Sequence, residues 1–114
     1  MNIFQSTLPG SPGVLTLTMS GRLDADGTDA FAGTLAACID RGEHRIVLDL
    51  AAVDYISSVG LRALMLAAKR LAPLGGRLVL CAPRAQIRQL LEVAGFTSMF
   101  SIVANRDEAT ERML

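Results

Sequence analysis

From Val14 to Ser20 the chain alternates, with Leu15, Leu17 and Met19 on one side and Thr16, Thr18 and Ser20 on the other. A period of two is what a strand with one buried face requires. Ile3 to Thr7 reads as a shorter strand before it. Pro9-Gly10-Ser11-Pro12-Gly13 is a dense turn signal between them, so the pair reads as a hairpin. The period then changes: Phe31, Leu35, Cys38 and Ile39 recur at helical spacing up to Arg41, and Gly42 supplies a stop. Between strand and helix, Gly21-Arg22-Leu23-Asp24-Ala25-Asp26-Gly27 reads as a loop, in which Asp24 or Asp26 caps the helix.

Arg45-Ile46-Val47-Leu48-Asp49-Leu50 is nearly continuous apolar sequence, as a central strand covered on both faces needs. Asp49 interrupts it and reads as a strand-end carboxylate that accepts loop amides. A second helix starts at about Ser58, with Leu61, Leu64, Met65, Ala68 and Leu71 in one stripe. Arg62, Lys69 and Arg70 lie off that stripe, as do Ala63 and Leu66, which leave a mildly apolar outer face. Pro73 and Gly75-Gly76 end the helix. Arg77 to Cys81 is another strand. Pro83 suits the first turn of a third helix, whose inner face carries Ile87, Leu90, Leu91 and Ala94 before Gly95 closes it. Phe96, Met99 and Phe100 are core candidates, Ser101 to Val103 a short strand, and Arg106 to about Met113 a last helix. Asn105 and Glu108 have the spacing of a capping box.

Strands alternating with helices give an α/β class, with a mixed sheet of four to five strands and about four helices mainly on one face. With 114 residues the chain is one domain, 1–114. Leu48, Leu61, Leu64, Leu80, Leu90 and Leu91 are expected in its core.

Charge and composition narrow the function. Eleven basic and eleven acidic residues leave no net field to attract nucleic acid or an anionic membrane. Arg77, Arg84 and Arg88 could form a small basic patch, but no aromatic residues lie beside it to stack on bases. Cys38 and Cys81 sit in apolar segments and form no metal or redox motif. Met1 to Thr7 carries no basic residue, unlike a signal peptide, and no apolar run approaches the ~20 residues that span a bilayer. A cytoplasmic location and no membrane insertion are expected. His44 is the only histidine, so no His cluster can bind a metal, and no phosphate loop, GxGxxG or G-x-S-x-G is present. Neither an enzyme nor a cofactor is implied.

The chemistry concentrates in Val53-Asp54-Tyr55-Ile56-Ser57-Ser58-Val59-Gly60-Leu61, where strand hands over to helix. The first amides of a helix lack partners within it, and a Ser oxygen can accept from them. The same end favours an anion such as phosphate. Ser57 and Ser58 therefore admit two readings, a helix cap or a phosphorylation switch.

Gly21-Arg22-Leu23-Asp24, Ile46-Val47-Leu48-Asp49-Leu50, the nine-residue stretch from Val53 to Leu61 and the late Gly95-Phe96 together resemble the STAS domain, the sulfate-transporter and anti-sigma-factor-antagonist family. The resemblance covers essentially the whole chain and implies a STAS-like fold. In the stand-alone antagonists the pivot commonly reads Asp-Ser-Ser-Gly-Leu, or has Thr or Ala before Gly. Aligned on Gly60-Leu61, the regulatory phospho-acceptor falls on Ser58, with Ser57 the second candidate. The family's Asp falls on Ser57, and the residue before Gly on Val59.

The implied function is that of an anti-sigma factor antagonist acting by partner switching. It binds an anti-sigma factor serine kinase, is phosphorylated by it and is restored by a PP2C-type phosphatase. Asp24, Ser57, Ser58, Val59, Gly60 and Arg62 would contact the partner. Direct nucleic-acid binding is not implied, and a weak homodimer is compatible with the family. The same resemblance admits two alternatives: a STAS subunit binding the ATPase of a lipid-transporting ABC system, and a stressosome-like scaffold.

Overall fold

The structure, a computed structural model, describes residues 1–7, 13–98 and 100–113. Pro9 to Pro12 of the expected turn, and the core candidate Met99, lie outside the described residues. The elements are β1 (Asn2–Thr7), β2 (Val14–Leu23), α1 (Ala25–Asp40), β3 (Arg45–Ile56), α2 (Ser58–Leu71), β4 (Arg77–Cys81), α3 (Ala85–Val93), β5 (Ser101–Val103) and α4 (Arg106–Met113). Short 3-10 turns at Ala72–Leu74 and Phe96–Ser98 follow α2 and α3.

The five strands lie in sequence order, β1-β2-β3-β4-β5. The hairpin β1–β2 is antiparallel, and the other three pairings are parallel. Three successive crossovers that all advance across the sheet in one direction put their helices on one face, because such crossovers share a hand. That face is the main core: Phe31 and Leu35 of α1, Leu64 and Leu71 of α2, and Ile87 and Leu91 of α3 pack on Leu17, Ile46, Leu48 and Leu80. The fourth helix covers the opposite face, where Ala109 and Met113 meet Val14, Val47, Val79, Cys81 and Val103.

Half of the box expected from Asn105 and Glu108 forms at the start of α4: Glu108 N–H donates to Asn105 Oδ1 at 2.9 Å, but the Glu108 carboxylate accepts the amide of Ala104, one residue before the cap, at 3.0 Å. Asp49 is not at a strand end, because β3 continues seven residues beyond it, to Ile56. It accepts one backbone amide, from Ala51 at 3.0 Å, and pairs with Arg106 Nε at 2.8 Å. Arg106 also donates to Thr18 Oγ1, so this network pins the start of α4 to the sheet. Beside it, burial first and the Asp49 carboxylate second push the Cys81 thiol up to about 11, against an opposite pull from Arg106. At neutral pH Cys81 is therefore an uncharged filler of the back face.

Three local expectations are corrected. Leu61 and Leu90 are half-buried and Ala94 is exposed. The inner line of α2 is Gly60, Leu64, Ala67 and Leu71, about one residue round from the apolar stripe. A glycine shows no hydrophobicity to a pattern, yet Gly60 is buried against Leu23 of the sheet. Pro83 precedes the helix rather than opening it, since Arg84 is the N-cap of α3. Finally, Arg77 begins β4 while Arg84 and Arg88 follow its end, so the three make no common patch. Each is engaged separately: Arg77 with the Arg112 carbonyl, Arg84 with the Ala51 carbonyl, Arg88 with Glu92.

Leu64 is fully buried in the main core. Leu64→Ala is expected to lower unfolding free energy by about 2–5 kcal/mol, measured by urea denaturation. A loss under about 1 kcal/mol would contradict the packing described for α2.

Candidate functional site

β2 and β3 both outrun the rest of the sheet. β4 pairs with β3 only as far as Asp49–Cys81, whereas β2 pairs with it to Leu23–Ile56. The expected loop from Gly21 to Gly27 is therefore mostly regular structure: Gly21 to Leu23 finish β2, and α1 starts at Ala25. Two register shifts let β2 continue, one next to Gly21, whose φ of +101° is in the region that suits glycine. The alternation that marks a strand breaks at these bulges, which is why the sequence reads there as a loop. Only Asp24 lies between β2 and α1, and it is the cap: Gly27 N–H donates to Asp24 Oδ1 at 3.0 Å.

The projecting β2–β3 ribbon ends at the Leu23 carbonyl, and α2 is built on it. Ser57 N–H donates to Leu23 O at 3.0 Å, and the Ser57 hydroxyl donates to the same oxygen at 3.0 Å. The Ser57 oxygen in turn accepts Gly60 N–H at 3.2 Å, which makes Ser57 the N-cap of α2. A Cβ on Gly60 would come within 2.8 Å of Leu23 O, and one on Gly27 within 2.2 Å of Arg22 O. The two helix starts thus press on adjacent residues of β2, α2 on Leu23 and α1 on Arg22, and only glycine permits it.

Of the two hydroxyls, Ser57 is half-buried and has both its donor and its acceptor engaged. Ser58, the first residue of α2, is exposed, and no hydrogen bond to its side chain is present among the described residues. Cap and switch candidate are thus different residues.

Ser58 heads an exposed patch. Val59 is 53 % exposed, and Arg62 is exposed one turn further along α2. Asp24 directly follows Leu23, whose carbonyl Ser57 binds, and is partly exposed, with its carboxylate 3.8 Å from Arg22 Nε. Gly60, the remaining member of the expected contact set, is buried and presents no side chain. Two residues escaped the sequence reading: Arg22 stacks over the exposed Tyr55 ring at 4.2 Å from its centroid, across the β2–β3 pairing. Nothing local signals this contact, since 33 positions separate the two in the chain. Leu66, noted as off the inner stripe, is 51 % exposed on the rim of an apolar cleft between α1 and α2.

His44 does not belong to the patch. It precedes β3, at the end of the strand opposite Ser57, and its carbonyl accepts Arg77 N–H. Among the described residues no group of His, Cys, Asp and Glu could hold a metal ion, and no helix is long and apolar enough to cross a membrane.

The division between the two serines has a measurable consequence. Ser57→Ala removes the cap and a bond to Leu23, and is expected to cost about 0.5–2 kcal/mol. Gly60→Ala, forced against Leu23, should cost about 1–3 kcal/mol. Ser58→Ala should stay within about 0.5 kcal/mol of the starting protein. Chemical denaturation of the three variants checks the order; equal costs at Ser57 and Ser58 would contradict the assignment.

The STAS domain family model matches residues 5–109. A candidate anti-sigma factor antagonist of Bordetella bronchiseptica, BtrV, is 39 % identical over 103 residues, covering 90 % of this chain and 89 % of that protein. The fold is shared with solved structures of lower identity. An anti-sigma factor antagonist from Mycobacterium paratuberculosis superposes with a TM-score of 0.87 at 22 % identity, over 98 % of this chain and 92 % of the other. The Bacillus cell fate determinant SpoIIAA in its phosphorylated form gives 0.75 at 17 % identity, over 99 % and 100 %. Sequence match, element order and the strand-to-helix pivot agree, and the chain belongs to the STAS domain family, as a regulatory binding domain rather than an enzyme.

Proposed function

We propose that this protein is an anti-sigma factor antagonist that works by partner switching in the cytoplasm, with Ser58 as its switch. The unmodified patch around Ser58, Val59 and Arg62 binds a kinase-type anti-sigma factor. The kinase transfers the γ-phosphoryl group of ATP to Ser58 Oγ, releasing ADP and the hydroxyl proton, and a PP2C-type phosphatase hydrolyses the ester to restore the hydroxyl. The protein is ligand and substrate in this cycle and catalyses neither step.

One observation carries the reading: at the start of α2 the exposed Ser58 hydroxyl has no hydrogen bond among the described residues, while its half-buried neighbour Ser57 already caps the helix. Phosphate adds about −1.5 to −2 charge at neutral pH. A helix start tolerates that charge, because its unpaired amides and dipole favour an anion. A partner surface shaped for a neutral hydroxyl does not tolerate it, so the fold survives while the complex is lost. The 39 % identity to BtrV supports the antagonist role, and the phosphorylated form of the structural neighbour SpoIIAA supports control by phosphate.

The test starts with the tagged protein capturing its kinase from the source cell. The captured kinase is then incubated with the protein and ATP, and the phosphate is mapped by mass spectrometry. Modification is expected at Ser58 and absent in Ser58→Ala, which still binds the kinase. Ser58→Asp should bind at least about tenfold more weakly, a change of about 1.4 kcal/mol. Its own stability should hold or rise by about 0.3–1 kcal/mol, as for any acid at a helix start. Phosphate on Ser57 alone would overturn the choice of residue. No modification, with binding unchanged in both variants, would favour an ATPase-binding transporter subunit or a scaffold.

A further inference from the structure

Arg62 lies four residues after Ser58 on α2, the spacing that puts two side chains on one helical face one turn apart. It is exposed and, among the described residues, its side chain forms neither an ion pair nor a hydrogen bond. Its helical neighbours explain why. The positions three and four residues away are Ser58, Val59, Met65 and Leu66, none of them acidic. The first turn of α2 contains no carboxylate at all, whereas those of α1 and α4 carry Asp26, and Asp107 with Glu108.

Two other arginines, one near the end of β2 and one between β4 and α3, are engaged. Arg22 pairs with Asp24 and stacks on Tyr55, and Arg84 donates to the Ala51 carbonyl. Further along the same helix, Arg70 has its acid in Asp40 of α1. Arg62 is therefore a cation held at i+4 from a modifiable hydroxyl, with no acid of its own. An acid four residues N-terminal to a base is the favourable order for a helical ion pair.

Building on the reading of Ser58 as the switch, we propose that Arg62 is the residue that holds the Ser58 phosphate. In the unmodified protein Arg62 projects to the partner. Once Ser58 is phosphorylated, the guanidinium donates to the phosphate oxygens, a charge-assisted contact that can form two N–H···O bonds at once. Phosphorylation then changes the partner surface twice: a neutral hydroxyl becomes an anion, and a cation leaves the interface to neutralise it in part. The phosphate is also held against the body of α2 rather than swinging freely.

The experiment needs no kinase. Phosphoserine is encoded genetically at position 58, in the otherwise unchanged chain and with Arg62→Gln, Arg62→Lys or Lys69→Gln, and phosphorus NMR follows the second phosphate ionisation. A free phosphoserine ionises near pH 6. The field of the helix start, the Arg22–Asp24 pair and the carboxylates of Asp26 and Asp54 act alike in all four proteins. Arg62→Gln should raise the second pKa by about 0.15–0.4, the size expected of one helical ion pair. Arg62→Lys should recover most of the shift. Lys69→Gln, which removes an equal charge from the far end of α2, should leave it unchanged. Equal pKa values with and without Arg62 would overturn the proposal, and so would an equal rise from Lys69→Gln. Failure of a kinase to modify Ser58 would count against the switch, and is read in a different experiment. Circular dichroism confirms that the exposed substitutions leave the fold intact.

Discussion

The carbonyl oxygen of Leu23 is the point on which the functional end of the molecule rests. It accepts the backbone amide and the hydroxyl of Ser57 at once, and Gly60 is packed against it. An oxygen buried at a strand end needs partners, since an unmet buried acceptor costs about 1–3 kcal/mol. Here the partners come from the start of another helix, so meeting the requirement also fixes where α2 begins. The residues on either side of Leu23 receive the start of α1: Gly27 packs on the Arg22 carbonyl and its N–H is capped by Asp24. Two helix N-termini are thereby set side by side on a ribbon that β4 does not reach. The starts of α1 and α2 meet at Leu23 for this reason, although Asp24 and Ser58 are 34 positions apart.

How much of this the sequence disclosed depended on whether the signal was local. A short apolar run located β4, and the segments after it were read as β5 and, behind the Asn105–Glu108 spacing, α4, all at their observed bounds; helical spacing placed the start of α2 at about Ser58. Those signals lie within each element or at its own end. The tails of β2 and β3 were not legible, because their strand character comes from pairing with each other across bulges. Ala51, Ala52, Asp54 and Tyr55 are exposed and follow no simple alternation. The roles of Gly27 and Gly60 were hidden for a related reason: what they contribute is the absence of a side chain, visible only once the neighbouring backbone is in place. Ser57 and Ser58 were recognisable as a pair, but the carbonyl that decides between them belongs to a distant strand.

That decision bears on one of the two departures from the pivot sequence commonly found in stand-alone antagonists: the position of Ser57, which is acidic there, the other being Val59 before Gly60. Asp and Ser are both among the best helix caps, because each places an oxygen within reach of the amides two or three residues on. In this chain Ser57 accepts Gly60 N–H, so the cap survives the loss of the carboxylate. The hydroxyl also does what an ionised carboxylate cannot: it donates, and the Leu23 carbonyl receives that proton. A carboxylate there would set two acceptors facing each other and would add a negative charge next to Ser58. With Ser57 neutral, a phosphate on Ser58 would meet amides and Arg62 without an acid at the preceding position to repel it. The substitution thus exchanges a charged cap for a neutral one tied to β2, and leaves the start of α2 better suited to receive an anion.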